Sequence, residues 1–370
     1  MRILIAPDKF KGSLTAVEVA ETIARGLGDF ASSCSLLPIA DGGEGMTEAV
    51  RAALGGETVR TNARDPLMRT VEADYAVVEN GATAVMEMSA ASGLWRLSEN
   101  ERDPIRATTF GTGEMILDAA RRGVSRIILG IGGSATNDGG SGLALALGYR
   151  FFDSNGAEIR DLPAKLTEIA RIDPKNAVKL PEIITACDVD NPLLGEHGAT
   201  RVYGPQKGIA ESDFELHEQR LGHLADLAQR DLGIDPRTEP GSGAAGGLGF
   251  GTIAFCKAKL QPGFDLIADL LDLETQIAAS DLVITGEGSL DAQTLNGKGP
   301  HGVAMLARNL GKPVVAFAGI TDGSPRLFEA FDRIEVIRPE GVSIEESISR
   351  GQQLLEAAAS RLTTWIRAEF

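Results

Sequence analysis

The chain has 370 residues, enough for two or three domains with sizeable cores at roughly 100–200 residues per domain. Lys and Arg total 36 against 52 Asp and Glu, a formal charge of −16, and aromatic residues make up only 5%. Nucleic acid and anionic membrane surfaces both reward basic patches, so this balance argues against either as a partner. The opening MRILIAPDKF carries a five-residue apolar run ending at Pro7, too short for a signal peptide, and no apolar run reaches the ~20 residues of a spanning helix. Three widely spaced cysteines (Cys34, Cys187, Cys256) suit neither a disulfide framework nor a paired-cysteine zinc site, and suggest a reducing cytoplasm. The four histidines form no HExxH.

Residues 2–6 (RILIA) predict a first strand, and Thr15 with Glu18 predicts a capping box opening a helix that ends at Gly26 and Gly28. Between them lies PDKFKGSL, eight residues where a structural connection usually needs ~2–6, which suggests a ligand loop. A second unit follows: strand 36–40, loop DGGEG (41–45) and helix Met46–Leu54. Residues 57–89 contain three strand-like runs with turn signals at Asp65-Pro66 and Asn80-Gly81, an antiparallel ribbon. A helix over 110–122, strand 126–130, a glycine-rich segment, a short helix at 143–147 and strand 149–153 then restore an α/β rhythm, expected in a different sheet from the ribbon. Residues 205–240 are charged and helical, and 240–251 are again rich in glycine. Strands at 281–287, 313–319 and 333–337 and helices near 301–310 and over 344–367 complete the chain. The expected organisation is α/β in two domains, residues 1–56 with 281–370 forming one and 57–280 inserted into it.

Glycine is frequent, 44 residues against an average near 7%, and clustered. In open α/β sheets, ligands bind beyond the carboxyl ends of the strands. That rule selects Asp8, Lys9 and Lys11; Asp41 and Glu44; Gly132, Gly133 and Ser134 with Asn137 and Asp138; Asp188, Asp190 and Asn191; and Glu287 with Asp291. Glycines let backbone approach a ligand closely, and carboxylates can hold Mg²⁺ or accept a hydroxyl proton. Each feature also has a plainer reading: turn glycines, an Asx-turn before Pro192, a helix cap at Asp41, or solvated lysines. Neither Gly297-Lys298 nor Gly311-Lys312 has the glycine a Walker A loop requires, since Ala292 and Leu306 occupy that place, and no GxSxG occurs. The main rival signal is the GxGxxA from Gly130 to Ala135 with Asp153 about twenty residues on, which would suit a nicotinamide dinucleotide and an oxidoreductase of small hydroxy acids. A non-catalytic nucleotide-binding module is a third possibility.

Taken together, APDKFKGSLTA (6–16), IADGGEG (39–45), GIGGSATNDGGSG (130–142), ACDVDNPLLG (186–195), YGPQKG (203–208), PGSGAAGGLGFG (240–251) and DLVITGEGSLDAQT (281–294) resemble the class I glycerate kinase family over nearly the whole chain. The resemblance implies a Rossmann-like domain and a flavodoxin-like domain with a cleft between them, and ATP-dependent, Mg²⁺-assisted phosphorylation of D-glycerate to 2-phosphoglycerate, with the 3-phosphate as the alternative product. The protein is then expected to act in the cytoplasm as a monomer or homodimer. Within that resemblance, Asp188 or Asp41 is expected to accept the hydroxyl proton. Lys9 and Lys11, with Asp8, Glu44 and the N–H groups of 41–45, would hold the glycerate. Gly132, Gly133, Ser134 and Asn137 would cradle the phosphates of ATP, and Asp190 with Glu287 or Asp138 would hold Mg²⁺.

Overall fold

The computed structural model describes residues 1–291, 294 and 299–370; Ala292 and Gln293 of the last motif and the Gly297-Lys298 pair lie outside the described residues. The chain divides into two compact units, one of residues 1–41, 48–55 and 264–370, the other of 42–47 and 56–263. Both are α/β.

In the first unit, β1 (Ile3–Ile5), β2 (Cys34–Leu36), β12 (Leu282–Leu290), β13 (Val314–Thr321) and β14 (Arg333–Val336) form an all-parallel sheet in the order β14-β13-β12-β1-β2. The all-parallel sheet agrees with the α/β expectation for this unit, and from the β2 edge its strands run 2-1-3-4-5 in chain order, the flavodoxin-like succession. The inner strands read as continuous apolar runs because helices cover both faces of such a sheet. The helix Ala16–Gly26 starts at the predicted capping box, Thr15 Oγ1 accepting from the Glu18 N–H at 3.3 Å and Glu18 Oε2 from the Thr15 N–H at 2.9 Å. Its apolar face joins Leu354, Leu355, Ala358 and Leu362 of the C-terminal helix over β1 and β12.

Two expectations here need correction. β2 occupies 34–36 rather than 36–40; beyond it Pro38 has no N–H to continue the ladder, and only the N–H groups of Leu37 and Ile39 bond back, to Ile5 and Pro7. The single helix expected over 344–367 is two, Ile344–Ser349 and Gly351–Glu369. They part where Ser13 Oγ donates to the Ile348 carbonyl at 2.7 Å and lies against Gly351.

The second unit contains β3 (Glu57–Arg64), β4 (Thr70–Val78), β5 (Thr83–Glu87), β6 (Arg126–Gly130), β10 (Glu182–Ala186) and β11 (Lys259–Gln261) in one sheet ordered β11-β10-β6-β5-β4-β3. β3, β4 and β5 form the predicted ribbon, but β5 then pairs in parallel with β6. Ribbon and βα units therefore share a sheet, contrary to expectation, because β5 (TAVME) is buried along nearly its whole length and can take a neighbour on each edge. β7 (Arg150–Phe152), β8 (Glu158–Ile159) and β9 (Arg171–Asp173) form a separate three-stranded antiparallel sheet. Among the described residues no helix is long and apolar enough to cross a membrane.

Candidate active site

In the second unit, register brings three strand ends level. Gly130, the last residue of β6, pairs with Glu87 on one side and Ala186 on the other. The next residues of the three strands therefore leave the same edge of the sheet: Met88 after β5, the glycine-rich turn after β6, and Cys187-Asp188 after β10. The segment 42–47 lies across this edge. An ideal Cβ on Gly130 would stand 2.5 Å from the Gly42 carbonyl oxygen, so only glycine admits the loop there. Glu87 closes the arrangement, its Oε1 and Oε2 accepting from the Gly45 N–H at 3.1 and 3.2 Å and its Oε1 from the Thr47 N–H at 2.9 Å.

Glu87 was not among the expected site residues. It satisfies the strand-end rule that selected the others, an acid closing an apolar run, but was hidden inside a ribbon read as separate from the α/β sheet. Its placement also changes one expectation. The Gly45 N–H, expected to meet a bound carboxylate at the start of the following helix, instead donates to an anion from the protein itself. Glu44, in the same loop, is exposed.

The glycine-rich turn has two halves. Gly132 and Gly133 are exposed, and Ser134 is buried, bridged to Gly93, with the Leu94 N–H donating to the Gly133 carbonyl and the Ala135 N–H to the Ser92 carbonyl. Asn137 and Asp138 are fully buried. Asn137 Nδ2 donates to Thr200 Oγ1 at 3.2 Å and lies 3.4 Å from His217 Nδ1. The Asp138 carboxylate accepts from the Thr109 N–H (2.9 Å), Thr109 Oγ1 (2.8 Å), and the N–H groups of Gly140 (3.1 Å) and Gly142 (3.2 Å). Burial raises its pKa while these four donors pull it back. Asp138, expected as a metal ligand, and Asn137, expected against phosphate, are both buried, Asp138 tying the turn together and Asn137 bonding Thr200.

After β10, Asp188 is exposed and its Oδ1 accepts from the Gly263 N–H at 2.6 Å, which fixes the carboxylate. Asp190 is also exposed. Asn191 is held by both ends, Nδ2 donating to the His197 carbonyl at 2.8 Å and Oδ1 accepting from the Tyr203 hydroxyl at 2.6 Å.

In the first unit the ends of β1 and β12 carry the remaining candidates. Asp8 is buried; its Oδ1 accepts from the Lys9 N–H at 2.6 Å and lies 3.9 Å from Lys9 Nζ. Lys11 is exposed, and its backbone nitrogen would stand 3.2 Å from a Cβ placed on Gly288 of β12, so the lysine loop follows that strand closely. Glu287 accepts from Thr294 Oγ1 at 2.6 Å, and Ser289 Oγ donates to Asp291 at 3.2 Å. Asp41 is half-buried at the boundary of this unit.

The structure bears on the dinucleotide signal as well. Asp153 follows β7, which belongs to the three-stranded sheet rather than standing beside β6. Its carboxylate accepts from the N–H groups of Asn155 (2.9 Å) and Ala157 (2.8 Å) in its own turn. Asp153 is thus not at the adjacent strand end where a dinucleotide ribose requires its acid.

His217 is buried, and burial, reinforced by the nearby Arg220 charge, pushes its pKa down to about 4. The unfolded chain takes up this proton near pH 6.5 and the folded chain resists it. Stability is therefore expected to fall by the order of 2 kcal/mol as pH drops from about 6.5 towards 4, and to be insensitive to this group above that range. Urea midpoints across that interval should show this slope in the native protein and a flatter one in His217→Gln.

Comparison with known proteins places the chain. Residues 3–367 match the model of the glycerate kinase family. A glycerate kinase of Halalkalibacterium halodurans is 43% identical over 367 residues, covering 97% of each chain. The glycerate 2-kinase of Escherichia coli K12 is 43% identical over 330 residues, 87% of this chain and 86% of that one. A crystal structure from Salmonella typhimurium LT2 assigned to glycerate kinase 2 superposes with a TM-score of 0.89 at 40% identity, covering 100% of this chain and 98% of the other. With the motif series, the two α/β units and these matches in agreement, the chain belongs to the glycerate kinase family and is an enzyme of that class.

Proposed function

We propose that the enzyme transfers the γ-phosphoryl group of ATP to the 2-hydroxyl of D-glycerate, giving 2-phosphoglycerate and ADP. The observation that carries this reading is the register Glu87–Gly130–Ala186, which sets an exposed glycine turn and an exposed, hydrogen-bonded carboxylate on neighbouring strand ends. Phosphoryl transfer asks a protein mainly for alignment, charge neutralisation and a proton acceptor. The substrate oxygen forms a bond to the γ-phosphorus as the bond to the ADP oxygen breaks, and the hydroxyl proton passes to a carboxylate. Asp188 is the first choice for that base and Asp41 the second. The backbone at Gly132 and Gly133, with Ser134, would meet phosphate oxygens.

Mg²⁺ suits the donor chemistry, since exposed carboxylates such as Asp190 offer hard oxygen ligands and Mg²⁺ takes only one or two of these beside phosphates and water. When bound it would neutralise charge on the phosphates; Glu287 is the further candidate to hold it. Among the described residues no group of three or more His, Cys, Asp or Glu is arranged as a metal site.

Lys9 and Lys11 are proposed to hold the glycerate carboxylate, with Asp8 orienting Lys9 and Glu44 near the substrate. An ionic contact equal in ground and transition states shows mainly in KM. Lys9→Ala and Lys11→Ala are each expected to raise the glycerate KM by about tenfold, with kcat much less affected. Unchanged KM in both would remove the lysine loop from substrate binding.

The cytoplasm suits three free thiols. Light scattering on the purified chain distinguishes the monomer from the homodimer, both compatible with this reading. The reaction itself is tested by ADP release from ATP with D-glycerate and Mg²⁺, followed by phosphorus NMR of the product. Turnover dependent on both additions and a 2-phosphate signal are expected; a 3-phosphate would reassign the hydroxyl, and no turnover from folded protein would overturn the substrate.

A further inference from the structure

Lys207 lies in the YGPQKG motif, which none of the roles above uses. It is only 1% exposed, and its Nζ donates to the Thr136 carbonyl at 2.7 Å, across 71 positions of sequence. Burying an ammonium is costly, and an apolar side chain of the same length would fill the space more favourably. A lysine buried there calls for an explanation.

The surroundings supply one. The Thr136 carbonyl is gripped from two sides: Lys207 reaches it from the 205–207 turn, and the backbone of Gly246 packs so closely that an added Cβ would lie 1.9 Å from the oxygen. Gly246 has φ +68°, so it must be glycine both for its conformation and for the approach. Its carbonyl in turn accepts from the Gly139 N–H at 3.1 Å. The Asp138 charge partly offsets the desolvation that lowers the Lys207 pKa to about 7. Three glycine-rich motifs distant in sequence thus meet at one carbonyl, directly beneath the end of the turn whose exposed tip is Gly132-Gly133.

We infer that Lys207 is a positioning residue for the nucleotide: by holding the Thr136 carbonyl it sets the orientation of the exposed Gly132-Gly133 tip. This rests on the proposal above that the tip meets the phosphates of ATP. Lys207 itself touches the turn and not the substrate, so its effect is transmitted through backbone geometry. A displacement of such backbone by an ångström can change rates by about 10²-fold, and a loosened tip would show first in affinity for the group it meets.

The test is Lys207→Met, which preserves much of the volume and removes charge and donor. Hydrogen exchange is followed by mass spectrometry on peptides covering 130–142 in the unliganded protein, and KM for ATP and for D-glycerate are measured alongside. The expected result is exchange faster by about tenfold or more in 130–142 and a comparable rise in KM for ATP, with the glycerate KM within about twofold of native. Unchanged exchange in that turn would overturn the inference. A loosened turn with an unchanged KM for ATP would instead overturn the nucleotide reading of the tip, leaving Lys207 as a structural clamp. If Lys207→Met fails to fold, Lys207→Gln, which stays polar but is one atom shorter and so draws its N–H back from the 2.7 Å contact with Thr136, is measured by the same two readouts and judged by the same outcomes.

Discussion

Asp188→Asn is expected to lower kcat by ~10²–10⁴-fold, about 3–5 kcal/mol of barrier, while leaving the fold intact. The separation of the two effects follows from the hydrogen bond that holds the side chain. Asp188 is anchored through Oδ1 by the Gly263 N–H, and an amide keeps an oxygen able to accept that bond. The substitution therefore retains this anchor of the side chain and removes its ability to take a proton. Steady-state kinetics with a thermal melt checks both halves. A loss of less than about fivefold would take the base role from Asp188 and pass it to Asp41, for which the same substitution is the next measurement.

Asp138→Ala is expected to do the opposite, destabilising the protein by about 4 kcal/mol. The carboxylate is fully buried, and its removal leaves the Thr109 N–H and hydroxyl and the Gly140 and Gly142 N–H groups without their acceptor. Each buried donor so orphaned costs about 1–3 kcal/mol, and local relaxation recovers only part of the sum. Thr109 Oγ1 also accepts from the Leu143 N–H at 2.9 Å, so the loss spreads to the start of the helix at 141. Urea denaturation measures the loss. Were Asp138 a metal ligand, its removal would leave stability within about 1 kcal/mol of native and raise the Mg²⁺ requirement of turnover instead; that outcome would refute the anchoring role.

Glu87 shows how an interior anion can change the meaning of a helix start. An N-terminus that follows a glycine loop invites a phosphate or carboxylate reading. Here Glu87 already accepts from Gly45 and Thr47. The loop 42–47 is thereby fixed against β5 and β6, and what it offers a ligand is its shape and its exposed Glu44 rather than that N–H group.

Local chemistry in the sequence was sufficient to determine the alternation of strand and helix, the capping box at Thr15, the ribbon over 57–89 and the motif series that identifies the family. These are short-range matters: propensity, apolar period and turn residues act within a few positions, and the ordered glycine and acid motifs are read directly. The strand-end rule also named the loops that carry Asp188 and Gly132-Gly133, because a parallel sheet exposes its carboxyl edge wherever it forms. Only the tertiary structure decided which polar residues of those loops face outward. Asp138 and Asp188 are equivalent as letters, acids in loops after β6 and β10, yet one is fully buried among four donors and the other is exposed. Strand pairing decided the rest, since β5 joining β6 is a long-range register that brings Glu87 level with Gly130 and Ala186. The partnership of Lys207 with Thr136 is of the same kind. A buried charge is set by what closes over it, and no spacing within the chain encodes that.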